Sequence, residues 1–304
     1  MASFSTTDAA FAGFRIVRER PGAVLLWALL LLVVQLGFSL TMVGEGGPAI
    51  AQMQALSTQT APDPAQAMAL MRQLTPLYSL LFLFALVLYP MMYATINRAV
   101  LRPDEHRFGY LRLGVDELLQ LALMVILFFV AVGFEIAFFV VVLIAAGVIG
   151  VVAHYAAAPV AGIFGVVAVV GVICGFVYVL VRLSLASAVT FATRDVNPFA
   201  SWSVTRGHFW AILGTYVLTW IFVLLVGLLS LIVIFAVVAV AGGGLAALGA
   251  IFRPDYSSLK AYASPLQLVY YAGSAILSAL IWPLLLAPQA AIYKELTTAA
   301  PSAA

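Results

Sequence analysis

The stretch "LLQLALMVILFFVAVGFEIAFFVVVLIAAGVIGVVA" occupies residues 118–153 and carries one charge, Glu135. As a straight helix it reaches roughly 54 Å, against about 30 Å of bilayer hydrocarbon. Two readings compete. Either the chain turns back at Gly133–Glu135 and makes two spans, or a single span runs on past the hydrocarbon. No proline or polar loop marks a turn there. A single tilted span is the better reading, with the surplus "AGVIGVVAHYAAAPVAG" in or near the outer interface. Glu135 then lies roughly 25 Å beyond Leu118, in the outer half of the bilayer.

The composition agrees with a lipid environment. Of 304 residues, 65% are hydrophobic and 9% charged, and mean hydropathy is +1.14. A soluble domain carries about 25% charged residues. Lipid satisfies no backbone N–H or C=O, so only helices or a closed barrel can cross it. The apolar runs are long and do not alternate, which selects helices. The expectation is an all-α polytopic membrane protein forming one integral membrane domain over 1–304.

Six apolar segments stand out, at about 22–43, 77–100, 118–145, 163–190, 210–240 and 266–292. The first is too long for a signal-peptide core and lacks a small-residue cleavage site, so it reads as a span. With the N-terminus inside, the inner segments hold Arg15, Arg18, Arg20, Arg98, Arg102, Arg107, Arg112, Arg182, Arg194, Arg206 and Lys294. The outer segments hold Arg72, Arg253 and Lys260. This bias predicts cytoplasmic termini. Splitting 118–153 into two spans would move Arg194 and Arg206 outside and abolish the bias. Twelve arginines to two lysines, with abundant alanine, suggest a GC-rich bacterial genome, and the expected location is the bacterial inner membrane.

The segments "FAGFRIVR" (11–18) and "FASWSVTR" (199–206) share Phe, Ala, an aromatic and Arg at matching offsets. Phe108, Leu111, Val115 and Leu118 keep a similar apolar spacing before span three. Three hairpins follow, with amphipathic cytoplasmic helices before the odd-numbered spans. One such helix is expected at 198–209, and a separate short helix at Asp63–Pro64 in the first outer link.

Candidates for chemistry are few. Glu135, an acid within an apolar run, is a candidate for ion or lipid contact. An interfacial, solvated acid is the plainer reading. Arg182 reads as an inner-interface anchor near the end of span four or, with Ser184, Ser187 and Thr190 beside it in sequence, as a phosphate clamp for anionic lipid. Trp202 and Arg206 on the next amphipathic segment are further candidate lipid contacts. Ala161, Gly165, Ala168, Gly171 and Gly175 form a small-residue stripe suited to close helix packing. Pro90, Pro283 and Pro288 read as kinks, and Asn97 and Gln289 as interhelical hydrogen-bonding groups. Asp104–Glu105 and Asp116–Glu117 lie among arginines, a pattern suited to salt bridges.

His106, His154 and His208 fall in three different links, without metal-ligand spacing. There is no G-x-S-x-G elbow, no phosphate-binding loop and no basic, aromatic-interleaved groove for nucleic acid. Cys174 is the one cysteine, so no disulfide within the chain is possible. No catalytic residue, metal or cofactor is expected. Partners are membrane lipids and either a protein partner or a second copy.

The stretch "RLSLASAVTFATRDVNPFASWSVTRGHFWAILG" (182–214), with "APQAAIYKEL" (287–296), resembles the membrane domain attached to some bacterial glycerophosphodiester phosphodiesterases. It is similar also to six-span bacterial membrane proteins of unknown function. The likeness covers about the last 120 residues and extends to the rest in layout. It implies a six-span fold and an association with the envelope. In that family hydrolysis belongs to a separate domain with acidic metal ligands. No segment of that kind is present here, so the activity is not carried over. The expected role is non-catalytic organisation of lipid or partner proteins. The alternative is a transporter or channel for a small solute or ion.

Overall fold

The computed structural model describes residues 4–59, 63–155, 158–252, 254–255 and 258–298. Two short helices, α1 (Thr6–Ala10) and α2 (Ala12–Glu19), lead into α3 (Pro21–Ser57). Then come α4 (Pro64–Leu101), a 3-10 turn (Arg107–Tyr110), α5 (Val115–Tyr155) and α6 (Ala158–Leu183). The chain continues through α7 (Ala186–Thr193), α8 (Ala200–Val204), α9 (Phe209–Ala241), α10 (Ala246–Phe252), α11 (Leu259–Tyr262) and α12 (Pro265–Thr298). Six helices are long and apolar enough to cross a membrane, and no strand occurs among the described residues. The protein is a polytopic helical membrane protein.

The disputed stretch 118–153 is one unbroken helix within α5. A break in hydrocarbon would leave backbone groups without partners, and around Gly133–Glu135 the run offers a single polar side chain to replace them. The outer end of the first hairpin differs from expectation. Asp63 does cap a helix, its carboxylate accepting from the Ala65 N–H at 2.9 Å, with Pro64 in the first turn. That helix is α4 itself, which continues through Pro76 and Pro90 rather than ending as a separate piece. Likewise α12 continues through Pro283 and Pro288.

Three hairpins, α3–α4, α5–α6 and α9–α12, make the bundle, and α12 packs on both α3 and α9. The main core gathers Trp27, Leu31, Met92, Ile96, Ala279 and Leu286. In contrast, none of the most apolar window of α5 is buried. The α5–α6 hairpin meets the bundle at its arginine-rich end, where α5 touches α4 and α7, and α6 touches α8 and α9.

The repeat noticed in the sequence has a packing meaning. Gly13 of α2 lies against α12 so closely that a Cβ there would sit 2.5 Å from Leu284 Cα and from the Pro283 carbonyl oxygen. At the matching offset Ser201 of α8 is fully buried, and its hydroxyl donates to the Arg182 carbonyl at 2.7 Å. A small residue at this place lets each pre-span helix dock against a neighbouring span. Before span three the repeat fails: the segment is a single 3-10 turn rather than an amphipathic helix. Before span five, the expected helix 198–209 is shortened to α8, because the chain turns through Gly207 at φ 85°.

Span four departs most from expectation. It stops at Leu183, turns through Ser184 and Leu185, and resumes as α7. Every residue from Leu185 to Phe191 is buried. The α7 helix is a wedge between α4, α5, α8 and α12.

Candidate functional site

The break between α6 and α7 frees backbone groups that need partners. Ser201 supplies two of them, donating to the Arg182 carbonyl and accepting from the Leu185 N–H at 3.2 Å. This fastening brings α8 beside Arg182. The Arg182 guanidinium lies over the Tyr178 ring at 5.1 Å and the Trp202 ring at 5.7 Å. It donates to the Tyr178 hydroxyl at 3.0 and 3.2 Å, to Thr205 Oγ1 at 3.3 Å and to the Trp202 carbonyl at 3.4 Å. All these partners are neutral. Among the described residues no carboxylate pairs with Arg182 or with the adjacent, exposed Arg206. Two of the four sequence candidates, Arg182 and Trp202, are therefore in contact, Arg206 follows next to Thr205 in the chain, and the structure adds Tyr178 and Thr205. Tyr178 was legible as the residue one turn before Arg182.

The acids of the same end are engaged elsewhere. Arg98 is 1% exposed. It donates to Glu117 at 2.8 Å, to Asp116 at 3.3 Å and to the Tyr110 carbonyl at 2.6 Å. Its Nε lies 3.7 Å from Glu105. Asp116 also meets Arg102 at 3.2 Å and Arg194 at 3.3 Å, and Glu105 meets Arg112 at 2.8 Å. The Phe191 ring of α7 lies under the Arg102 and Arg98 guanidinium groups at 4.5 and 5.6 Å. The salt bridges expected from charge patterning are present, but they form a buried knot that ties α4, α5 and α7 together. Of the four arginines in that region only Arg98 lies within the apolar segment 77–100, a position that hints at burial but names no partner.

Above the knot lies a neutral polar chain. Asn97 Nδ2 donates to Ser187 Oγ at 2.8 Å, Ser187 donates to Gln120 Oε1 at 2.8 Å, and Gln120 Nε2 donates to the Ser187 carbonyl at 3.0 Å. The interhelical role expected of Asn97 holds. Gln289 is buried too, yet its Nε2 has no hydrogen-bond partner among the described residues.

Below the knot the 3-10 turn is strained. Phe108, Gly109 and Tyr110 have φ of 49°, 61° and 67°. Left-handed backbone costs a non-glycine residue on the order of 1–3 kcal/mol, so the surroundings must enforce it. Trp27 Nε1 donates to the Gly109 carbonyl at 2.7 Å, and Arg98 holds the Tyr110 carbonyl.

Glu135 lies apart. It is exposed on α5, with no hydrogen bond or ion pair among the described residues. We expect Glu135→Gln to leave stability in detergent unchanged within about 0.5 kcal/mol, because no contact is lost. A clear shift in a melting curve would reveal a partner for the acid within the fold.

The small-residue stripe is only partly used. A Cβ on Gly165 would meet Ile149 of α5 at 3.5 Å, so that position does face its hairpin partner. Gly171 and Gly175 have nothing within 4 Å of such an atom, and the packing expected of them is not made within this chain. They lie on a face of α6 that turns away from α5. Ala168 is half-buried, and the Ala161 side chain lies outside the described residues. No group of three or more metal-ligating side chains occurs among the described residues.

No family model matches the chain, and neither curated proteins nor solved structures show a significant match. The resemblance to the phosphodiesterase membrane domain therefore stands on the quoted residues alone.

Proposed function

We propose that this is a non-catalytic inner-membrane protein with both termini in the cytoplasm, which binds anionic lipid headgroups at its arginine-rich end. The observation that carries this reading is the Arg182 clamp, a guanidinium held in place by aromatic and hydroxyl groups while its charge is left unbalanced. The carboxylates Glu105, Asp116 and Glu117 are occupied by Arg98, Arg102, Arg112 and Arg194. A phosphate supplies the missing charge and accepts the planar fork in bidentate fashion. The cytoplasmic orientation rests on the arginine bias.

An arginine near a charged leaflet contributes about 1 kcal/mol of attraction, roughly a fivefold change in binding. Arg182→Gln with Arg206→Gln is therefore expected to reduce phosphatidylglycerol retained through purification by roughly 20-fold or more at limiting lipid. Lipid analysis by mass spectrometry reads this directly, with phosphatidylethanolamine as the internal reference. Undiminished retention of the anionic lipid defeats the proposal.

A transporter or channel is the second reading. It has one observation in its favour, the break in span four with buried α7 and its polar chain, since broken spans often line transport sites. Against it, the polar chain around α7 lies at one end, apart from the Ser274–Gln35 hydrogen bond between α12 and α3, and α9 carries only Thr215, Thr219 and Ser230 as small polar residues along 33 residues. Solute flux into liposomes that depends on Gln120 or Ser187 would favour this second reading over the first.

A further inference from the structure

We propose that the turn Arg107–Tyr110 is an interfacial anchor, which holds the Phe108 ring in the boundary between lipid headgroups and acyl chains. The inference needs the transmembrane placement of the bundle and is independent of lipid capture at Arg182.

The backbone of this turn is held in a conformation that neither Phe108 nor Tyr110 adopts unaided. Both neighbours of Phe108 on its C-terminal side are pinned, Gly109 by Trp27 and Tyr110 by Arg98. Tyr110 is thereby buried to 1% exposure, yet Phe108 is turned outward to 81%. Strain enforced from the core thus ends in an exposed aromatic ring. A polar residue there would satisfy a surface in water. A phenyl ring is suited to a medium with an apolar side.

The location supplies the partner. Gly109 rests on the first turns of α3, where an added Cβ would lie 3.1 Å from Ala23 Cα and 3.2 Å from the Leu26 side chain. Leu25, Leu26 and Leu29 are exposed on the same turns, in a span whose outward surface meets hydrocarbon. Phe108 is therefore continuous with a lipid-facing surface at its end. Leu113, Val115 and Leu118 are also exposed between the turn and α5. Arg107, with no ion pair among the described residues, is placed beside the ring for a headgroup phosphate. Apolar rings with adjacent arginines are the composition of helices and loops that lie in the interface plane. Arg112 is occupied by Glu105, and Asp104 is the nearby acid that argues for contact with the interface rather than deep insertion.

The test uses spin labels on the full chain in vesicles of phosphatidylethanolamine and phosphatidylglycerol. Cys174→Ala provides the background. Labels are placed by Phe108→Cys, by Leu29→Cys as a hydrocarbon reference and by Asp104→Cys as an aqueous reference. All three side chains are exposed, so the fold tolerates the changes. Accessibility to oxygen and to a water-soluble nickel chelate is then measured. The label at 108 is expected to show an oxygen-to-nickel ratio severalfold above that at 104 and closer to that at 29. A ratio equal to that at 104 overturns the proposal in favour of an aqueous turn. Shielding from both reagents overturns it in favour of contact with protein.

Discussion

Replacing Arg98 with alanine is expected to destabilise the protein by about 3–5 kcal/mol, because the change leaves buried carboxylates without their counter-charge. Glu117 loses its ion pair outright, and the Tyr110 carbonyl loses its donor. Asp116 keeps Arg102 and Arg194. The comparison that makes the result specific is Arg102→Ala. That side chain is 26% exposed, and its loss leaves Asp116 with Arg98, so about 1 kcal/mol or less is expected. Reversible unfolding in detergent micelles, followed by circular dichroism, gives both values. Arg98→Met together with Glu117→Leu should recover part of the loss, since an apolar pair leaves less unpaired charge than a single deletion. If Arg98→Ala and Arg102→Ala prove equally mild, the knot is solvated and is not a fastening.

Trp27→Ala is expected to cost about 3 kcal/mol or more, near the lower end of the range for truncating a buried aromatic. The lower end applies because lipid is as apolar as the core, so little hydrophobic transfer energy is lost. What remains is the cavity and the missing dispersion contacts with Leu31, Met92, Ile96 and Ala279, its neighbours in the main core. Trp27→Phe separates the hydrogen bond from the volume. It retains most of the packing and leaves the Gly109 carbonyl without its donor, for about 1–3 kcal/mol. Phe also removes half of the restraint on the left-handed turn. Faster amide exchange at Gly109 and Tyr110 in Trp27→Phe, with no change in α9, would show that Trp27 enforces the strain.

Much of the architecture is legible in the sequence. The 118–153 run is one helix, and six spans follow from run length together with the missing turn signal and the arginine bias. The reason is that hydrocarbon leaves the backbone one solution, so apolar length and helix length are nearly the same quantity. Asp63 and Pro64 announce a helix start because capping is a local interaction between residues two apart. Arg182, Trp202 and Arg206 each stand out in the sequence as separate candidates, but that Trp202 packs on Arg182 depends on the break after Leu183.

Other features depended on which helices meet. The split of span four at Ser184 has no proline or glycine to announce it. It exists because Ser201, sixteen residues from Leu185, satisfies the freed backbone groups. Gly171 and Gly175 have the spacing of a packing motif, yet they face away from the bundle, because spacing defines a helix face without saying what lies opposite it. Arg98 alone of Arg98, Arg102, Arg107 and Arg112 falls inside an apolar segment, but which acids meet it is decided by the fold. Chain length and hydropathy thus determined the spans, through the backbone's need for hydrogen bonds in lipid. Tertiary packing decided which arginine is buried against acids, which is left for a phosphate, and where strain is held, because those outcomes depend on contacts between residues distant in the chain.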